Sequence, residues 1–210
     1  GARPGLIIAD SSTAEPDATV RLAGELAKSD ITLVDTPLTR TPREAEAGKL
    51  GMMTGGDPGI LSRIRPVMDS FADTIIHAGP VGSGHRLKLI NNFLSLSHAA
   101  IAAEAIAVAA KAGVSMQALK DIVVAGGANS VMFERLIKLP LEGDDSAAKF
   151  AIVNARKDLR YYAAMAESQS SAAFLAEQVL QLYSLAVGLG HGERYVPRMV
   201  DVMMELGGEK

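Results

Sequence analysis

The sequence predicts an α/β part followed by an all-α part, and three observations carry that prediction. Short apolar runs alternate with segments of helical period up to about residue 78, the pattern of a layered α/β unit. From Gly79 onward a glycine-rich turn gives way to helical periodicity alone. Aromatic residues make up only 4% of the chain while alanine and methionine are abundant, which suits helices that approach closely rather than a β sandwich. The boundary is placed near residue 80, with 1–80 as the α/β part and 81–210 as the helical part.

Leu6-Ile7-Ile8-Ala9 is a short apolar run that stops at Asp10-Ser11-Ser12-Thr13, and residues 14–28 then place Val20, Leu22, Ala23 and Leu26 at helical spacing. That is strand, loop, helix. Residues 31–35 form a second strand, and 36–41, with Pro37 and Pro42, the loop after it. The acidic, alanine-rich stretch 43–47 reads as helix. Residues 50–54 read as a strand stopped by Gly55-Gly56-Asp57-Pro58, residues 58–71 as a helix, and 74–77 as the closing strand. Beyond Gly79, Pro80, Gly82 and Gly84 a long helix is expected over 85–112, ended by Gly113. Further helices are expected at 116–124, 130–136, 147–168, 171–188 and 195–206.

Composition narrows function. A chain of 210 residues buries roughly 70% of the surface its unfolded form exposes. With no cysteine it can form neither a disulfide framework nor a thiolate metal site, and the cytosol is the expected compartment. A formal charge of −3 leaves no electrostatic footprint for nucleic acid or an anionic membrane. The most apolar stretch, 94–114, is interrupted by His98, Glu104 and Lys111 before the ~20 apolar residues that a bilayer requires, so a buried helix of a soluble protein is expected. No targeting leader is visible at the start.

Four clusters are candidates for chemistry. On the long helix Lys88, Asn91, Asn92 and Ser95 project within about 100° of one another at ~100° per residue. This stripe of an amine, two amides and a hydroxyl is either the wet side of the helix or the lining of a site; amides are a poor choice for a solvated face, where Glu and Lys form better helix. In Asp10 to Pro16, Ser12 or Thr13 either caps the next helix or faces a ligand at the carboxyl end of the strand, and the local pattern leaves both open. Arg40, between Thr39 and Thr41, is either a solvated arginine in a weak surface pair or part of an anion site in a proline-bounded loop. Lys157 and Asp158, taken alone, read as a surface ion pair.

Taken in order, these segments resemble the β-hydroxyacid dehydrogenase family, which includes 3-hydroxyisobutyrate dehydrogenases and tartronate semialdehyde reductases. The family's D-x-S-T-x-x-P matches Asp10 to Pro16, its D-A-P-V-S-G-G corresponds to Asp35 to Thr41, its G-x-G-x-x-x-K-x-x-N-N matches Gly82 to Asn92, and its K-D-L matches Lys157 to Leu159. The arginine-bearing loop Thr39-Arg40-Thr41 and the run Lys88-Leu89-Ile90-Asn91-Asn92-Phe93-Leu94-Ser95 look most like the sulfolactaldehyde reductase branch.

The resemblance implies that 1–80 is the remainder of a Rossmann-type dinucleotide-binding domain, joined by a long interdomain helix to a helical domain like that of 6-phosphogluconate dehydrogenase. It implies an oxidoreductase using NAD or NADP to interconvert a small anionic aldehyde and its hydroxyacid. The substrate would be 3-sulfolactaldehyde or a 3-hydroxyisobutyrate or semialdehyde type. Lys88 would be the catalytic acid/base, with Asn92 helping to hold the reacting oxygen. Thr13 and Lys157 would touch the cofactor; Arg40, Asn91 and Ser95 would hold the anionic tail, with Ser12 and Thr39 beside the substrate, and Phe150 and Asp158 would close the site from the helical domain. The family's G-x-G-x-x-G units have no counterpart before Asp10, so a preceding stretch of roughly 90–100 residues in a longer protein is expected. The alanine-rich 93–112 helix is expected to serve a homodimer or higher homo-oligomer. The alternative from another class is a cofactor-free dimerisation or binding module of the same fold.

Overall fold

The computed structural model describes residues 2–208. Its first part runs β1 (Ile7–Asp10), α1 (Pro16–Ala27), β2 (Thr32–Asp35), β3 (Leu38–Thr39), α2 (Pro42–Glu46), β4 (Leu50–Gly55), α3 (Pro58–Met68) and β5 (Ala72–Gly79). β1 pairs with β2 in parallel and β4 with β5 in parallel, while β2 meets β4 antiparallel at Asp35 opposite Gly55. The expected loop at 36–41 contains β3, which runs antiparallel along β4 with Leu38 opposite Met52 and Thr39 opposite Gly51. The sheet is therefore mixed. Chain leaving β2 turns through buried Thr36 and Pro37 and comes back down the edge of β4.

Helix starts in this part follow local chemistry. α3 is capped by Asp57, whose Oδ1 accepts from the Ile60 N–H at 3.0 Å, with Pro58 in the first turn where no amide proton is needed. α1 starts differently. Its N-cap is Glu15, without a side-chain cap bond, and Pro16 fixes the first helical φ. The reading of Ser12 or Thr13 as the helix cap is thus corrected: the proline starts the helix later, and the N-cap position falls on Glu15.

The second part runs α4 (Ser83–Lys111), α5 (Met116–Val124), α6 (Val131–Leu136), α7 (Lys138–Glu142), α8 (Ile152–Ser168), α9 (Phe174–Gly188) and α10 (Met199–Leu206). α7 is additional to the expected set; Pro140 inside it masks the helical signal. The helix expected from 147 begins only at Ile152, because Ser146–Ala148 is a 3-10 turn and Ala151 bridges to Tyr195. Similarly Pro197 keeps Val196–Arg198 in a 3-10 turn before α10.

Two compact units result, one up to Asn91 together with Ala164–Ser171, the other Asn92–Ala163 together with 172 onward. In the first, Met52, Met68 and Ala72 form a small core with Leu38, Ile64 and Phe71 around it. In the second, Leu96, Ala99, Ala103 and Ile106 of α4 pack among Phe133, Leu136, Ile152, Leu159, Tyr183 and Met199. The Tyr183 hydroxyl donates to the Leu96 carbonyl, and complete burial pushes its phenol above its ordinary range. By length and composition α4 is long and apolar enough to cross a membrane; here its alanine-rich face is spent on this core.

Candidate active site

In the first unit the site is organised by a residue that the sequence reading left without a role. Asp35, at the carboxyl end of β2, is fully buried; its Oδ1 accepts from the Gly82 N–H at 2.6 Å and its Oδ2 from the His85 N–H at 2.8 Å. A carboxylate on the free amides at the start of α4 is favourable both as hydrogen bonding and against the helix dipole. The approach is close enough to require glycine. A Cβ on Gly55 would lie 2.5 Å from Asp35 Oδ1, and one on Gly84 would lie 2.7 Å from the Met53 carbonyl. For the G-x-G that opens the motif, Gly84 supplies this close approach and Gly82 adopts a φ of 91°, and together they set the helix from which Lys88, half-buried, projects.

The loop after β1 is held from three sides. Asp10 Oδ1 accepts from the Ser12 N–H at 2.9 Å, the Ser11 and Thr36 hydroxyls lie 2.9 Å apart, and the Ser12 carbonyl is 3.2 Å from His85 Nε2. His85 Nδ1 is 2.9 Å from the Thr19 hydroxyl of α1, and both side chains are buried. Ser12 is exposed and Thr13 half-buried at the end of this loop, beyond the carboxyl end of β1.

Arg40 stands apart. Its guanidinium donates to Asp73 Oδ1 at 2.6 Å, to the Thr74 hydroxyl at 2.9 Å and to the Lys49 carbonyl, all at the amino ends of β4 and β5. The hydrogen bond from the Thr74 hydroxyl, and then Arg40, hold the Asp73 carboxyl below its ordinary range. Arg40 also has φ of 81°, in the left-handed region that glycine adopts without a steric penalty. Thr39 is half-buried in β3 beside it.

The second unit holds its residues by packing. Asn92 is 8% exposed and Asp158 2%. Asn92 Nδ2 donates to Asp158 Oδ2 at 2.6 Å, and Lys157 Nζ lies 3.2 Å from Asp158 Oδ1, an ion-pair distance without hydrogen-bond alignment. The reading of Lys157 and Asp158 as a surface pair is corrected: the ammonium is partly exposed but the carboxylate is interior, where it fixes the Asn92 amide. At this position the polar stripe is not the wet side of the helix. Next to it the Phe93 and Tyr162 rings stack with centroids 4.3 Å apart. Phe150 is half-buried against the unit's core, and Ser95, like Asn91 in the first unit, is half-buried on α4.

Lys157 also lines a groove of about 510 Å³ with Asn154, Arg156, Arg160 and Ser184, a donor-rich and cationic surface. A cavity of about 680 Å³ in the first unit, lined by Ala23, Thr32, Gly56, His77 and Val81 among others, contains none of the expected residues. Asp35 and His85 are what sequence reasoning missed. Their signals were an Asp at the end of a strand and a His inside the glycine motif; their partners lie 47 to 73 residues away in sequence, beyond any local pattern.

Residues 82–203 match the family model described as NAD-binding of NADP-dependent 3-hydroxyisobutyrate dehydrogenase, and residues 1–79 that described as the NAD binding domain of 6-phosphogluconate dehydrogenase. The chain is 30% identical over 157 residues to 2-(hydroxymethyl)glutarate dehydrogenase of Eubacterium barkeri, covering 75% of this chain and 52% of that protein. It is 29% identical over 195 residues to L-threonate dehydrogenase of Escherichia coli K12, covering 91% of this chain and 63% of that protein. The chain thus spans between about half and two thirds of the length of these curated relatives. Among solved structures it resembles 3-hydroxyisobutyrate dehydrogenase of Mycobacterium tuberculosis with L-serine, at a TM-score of 0.87 and 25% identity over 96% of this chain and 71% of that one. With the first family model covering more than half of its residues, the chain belongs to the 3-hydroxyisobutyrate dehydrogenase-like, or β-hydroxyacid dehydrogenase, family.

Proposed function

We propose that this chain serves an NAD(P)-dependent oxidoreductase that interconverts a small anionic aldehyde and its hydroxyacid, with Lys88 as general acid/base. The observation that carries the reading is the start of α4. Asp35 and two obligatory glycines clamp the helix end, so Lys88 is presented from a rigid element rather than from a mobile side of the fold.

A nicotinamide cofactor fits the donors present: Ser12 is exposed at the carboxyl end of β1, and Lys157 lies in a groove with Arg156 and Arg160 that suits a polyanion. Thr13 and Lys157 would hold it, and the hydride chemistry is what it supplies when bound. The chain's own work is on the proton. In reduction the Lys88 ammonium donates to the carbonyl oxygen as it becomes an alkoxide, and in oxidation the neutral amine takes the hydroxyl proton. Asn92, its amide fixed by Asp158, orients toward the reacting oxygen, and Phe150 and Asp158 wall off water.

For the substrate, 3-sulfolactaldehyde or a semialdehyde of the 3-hydroxyisobutyrate type is proposed, with the anionic tail on Asn91 and Ser95. Since the Arg40 guanidinium already serves Asp73 and Thr74, Arg40 and Thr39 contribute through the backbone and shape of their loop. The protein is proposed to work in the cytosol, with neither membrane nor nucleic acid as partner. It is also proposed to be a homodimer or higher homo-oligomer, through the exposed α4 stripe Leu94, Ile101 and Val108. The test is a panel of small aldehydes with and without an anionic tail, assayed with NADH and NADPH on the full-length protein. Turnover confined to anionic aldehydes is expected; equal efficiency on tail-free aldehydes would remove the substrate class, and no turnover on any would remove the activity.

A further inference from the structure

We infer that His85 is a positioning residue: its ring is the strut that sets the loop bearing Ser12 and Thr13 against the helix bearing Lys88. This role rests on the dehydrogenase reading for its purpose, but its geometry stands on the first unit alone.

The ring is fully buried and makes a contact at each nitrogen. The Ser12 carbonyl only accepts, so Nε2 carries a proton and donates to it across 3.2 Å. Nδ1 meets the Thr19 hydroxyl at 2.9 Å, and that hydroxyl stands 3.2 Å from the Glu15 carbonyl in the first turn of α1. The ring thus ties three segments together: the loop end at Ser12, the start of α1, and the start of α4, where the backbone N–H of the same residue is gripped by Asp35. Lys88 follows three residues later, on the same helix side one turn on. The Asp10 turn at the end of β1 and the Ser11–Thr36 hydroxyl contact toward β2 also hold this loop, but neither of these two reaches α1 or α4. The ring is thus a direct hydrogen-bonded link from the Ser12 backbone to the helix that bears Lys88.

The chemistry specifies the substitution that should replace the ring. A glutamine has a donor for the Ser12 carbonyl and an acceptor for the Thr19 hydroxyl at similar reach, whereas leucine fills comparable space with neither. The experiment compares wild type, His85→Gln and His85→Leu in the full-length protein, with amide hydrogen exchange, ¹⁵N imidazole shifts and steady-state kinetics. The ¹⁵N shifts are expected to report a protonated Nε2. In His85→Leu, exchange of the amides at 11–14 is expected to accelerate about 10-fold or more. KM for cofactor and substrate should rise together with it, while kcat falls far less; His85→Gln should restore both. Unchanged exchange at 11–14 in His85→Leu overturns the inference, as does a loss that glutamine does not rescue or an exchange change without a KM change. Because exchange and ring shifts do not depend on turnover, an inactive wild type would fail the dehydrogenase reading while these readouts still decide whether the ring anchors the loop.

Discussion

The two units hold their expected site residues by different means. In the first, positions are set by polar clamps on loops and helix ends: Asp35 on the α4 amides, His85 between Ser12 and Thr19, and Arg40 on Asp73 and Thr74. In the second, a helical core of Leu96, Ala99, Ile152, Leu159 and Tyr183 surrounds one interior polar pair, Asn92 and Asp158. The difference follows from where the residues sit. Loops at strand ends have no core to register them and depend on directional bonds, whereas a side chain on a packed helix inherits its place from apolar neighbours and needs a partner only to satisfy its own polarity.

The comparison predicts unequal costs. The largest should come from Asn92→Leu, which takes the amide donor from the interior Asp158 carboxylate and leaves Lys157 as its charge partner; losing a hydrogen bond to a buried charged group costs up to about 3 kcal/mol. Urea unfolding would read it, and the double variant Asn92→Leu with Asp158→Leu should recover much of the loss, since matched apolar replacement removes the stranded charge. A double variant no more stable than the single one would mean that the pair is not the polar exception in that core.

Next comes Asp35→Asn, which retains an acceptor but loses the charge and one of two backbone bonds, for about 1–3 kcal/mol. The sharper reading is regional: hydrogen exchange should rise at 82–86 and leave the second unit's core unchanged. Equal acceleration across α6 and α9 would erase the distinction between the units.

The smallest effect is at Arg40. Its pair with Asp73 is partly exposed, with side chains 35% and 44% accessible, so the salt bridge is worth at most about 1 kcal/mol. Against this stands the left-handed φ of 81°, which glycine adopts without a steric penalty. Arg40→Gly is therefore expected to be more stable than Arg40→Ala, by about 1 kcal/mol in thermal unfolding. The Asp73 carboxyl, held below the ordinary carboxylate range by the Thr74 and Arg40 hydrogen bonds, keeps its pairing above that range and loses it only as pH falls through the depressed folded value. Carbon-detected titration should show this depression in wild type and a smaller one in both variants, the Thr74 bond remaining.

Much of the fold was legible because periodicity reports burial. The helix expected at 116–124 forms there, and α1, α3 and α4 begin or end within a few residues of their expected bounds, moved mainly by prolines and caps. β3 was not legible, since two residues carry no period and are strand only because Met52 and Gly51 lie opposite them. In the site, Lys88, Asn91, Asn92 and Ser95 stood out as a stripe on one helix, a local signal. The partners that give those residues meaning were hidden: nothing near Asn92 in sequence announces Asp158, and nothing near Gly82 announces Asp35. The interior place of Asp158 was likewise unreadable, because an adjacent lysine is as common in a solvated pair.

The central claim is that Lys88 moves a proton rather than merely supplying charge. Turnover of the full-length protein should be measured for wild type, Lys88→Ala and Lys88→Arg with the best anionic aldehyde from the panel. The account predicts that both variants lose about 100-fold or more, as removal of a positioned acid/base does. Arginine should fail with alanine, because a guanidinium stays protonated and cannot cycle. KM for the cofactor should stay within a few-fold of wild type in both. Turnover in Lys88→Arg within a few-fold of wild type would contradict the claim, leaving Lys88 as a fixed charge on a well-anchored helix.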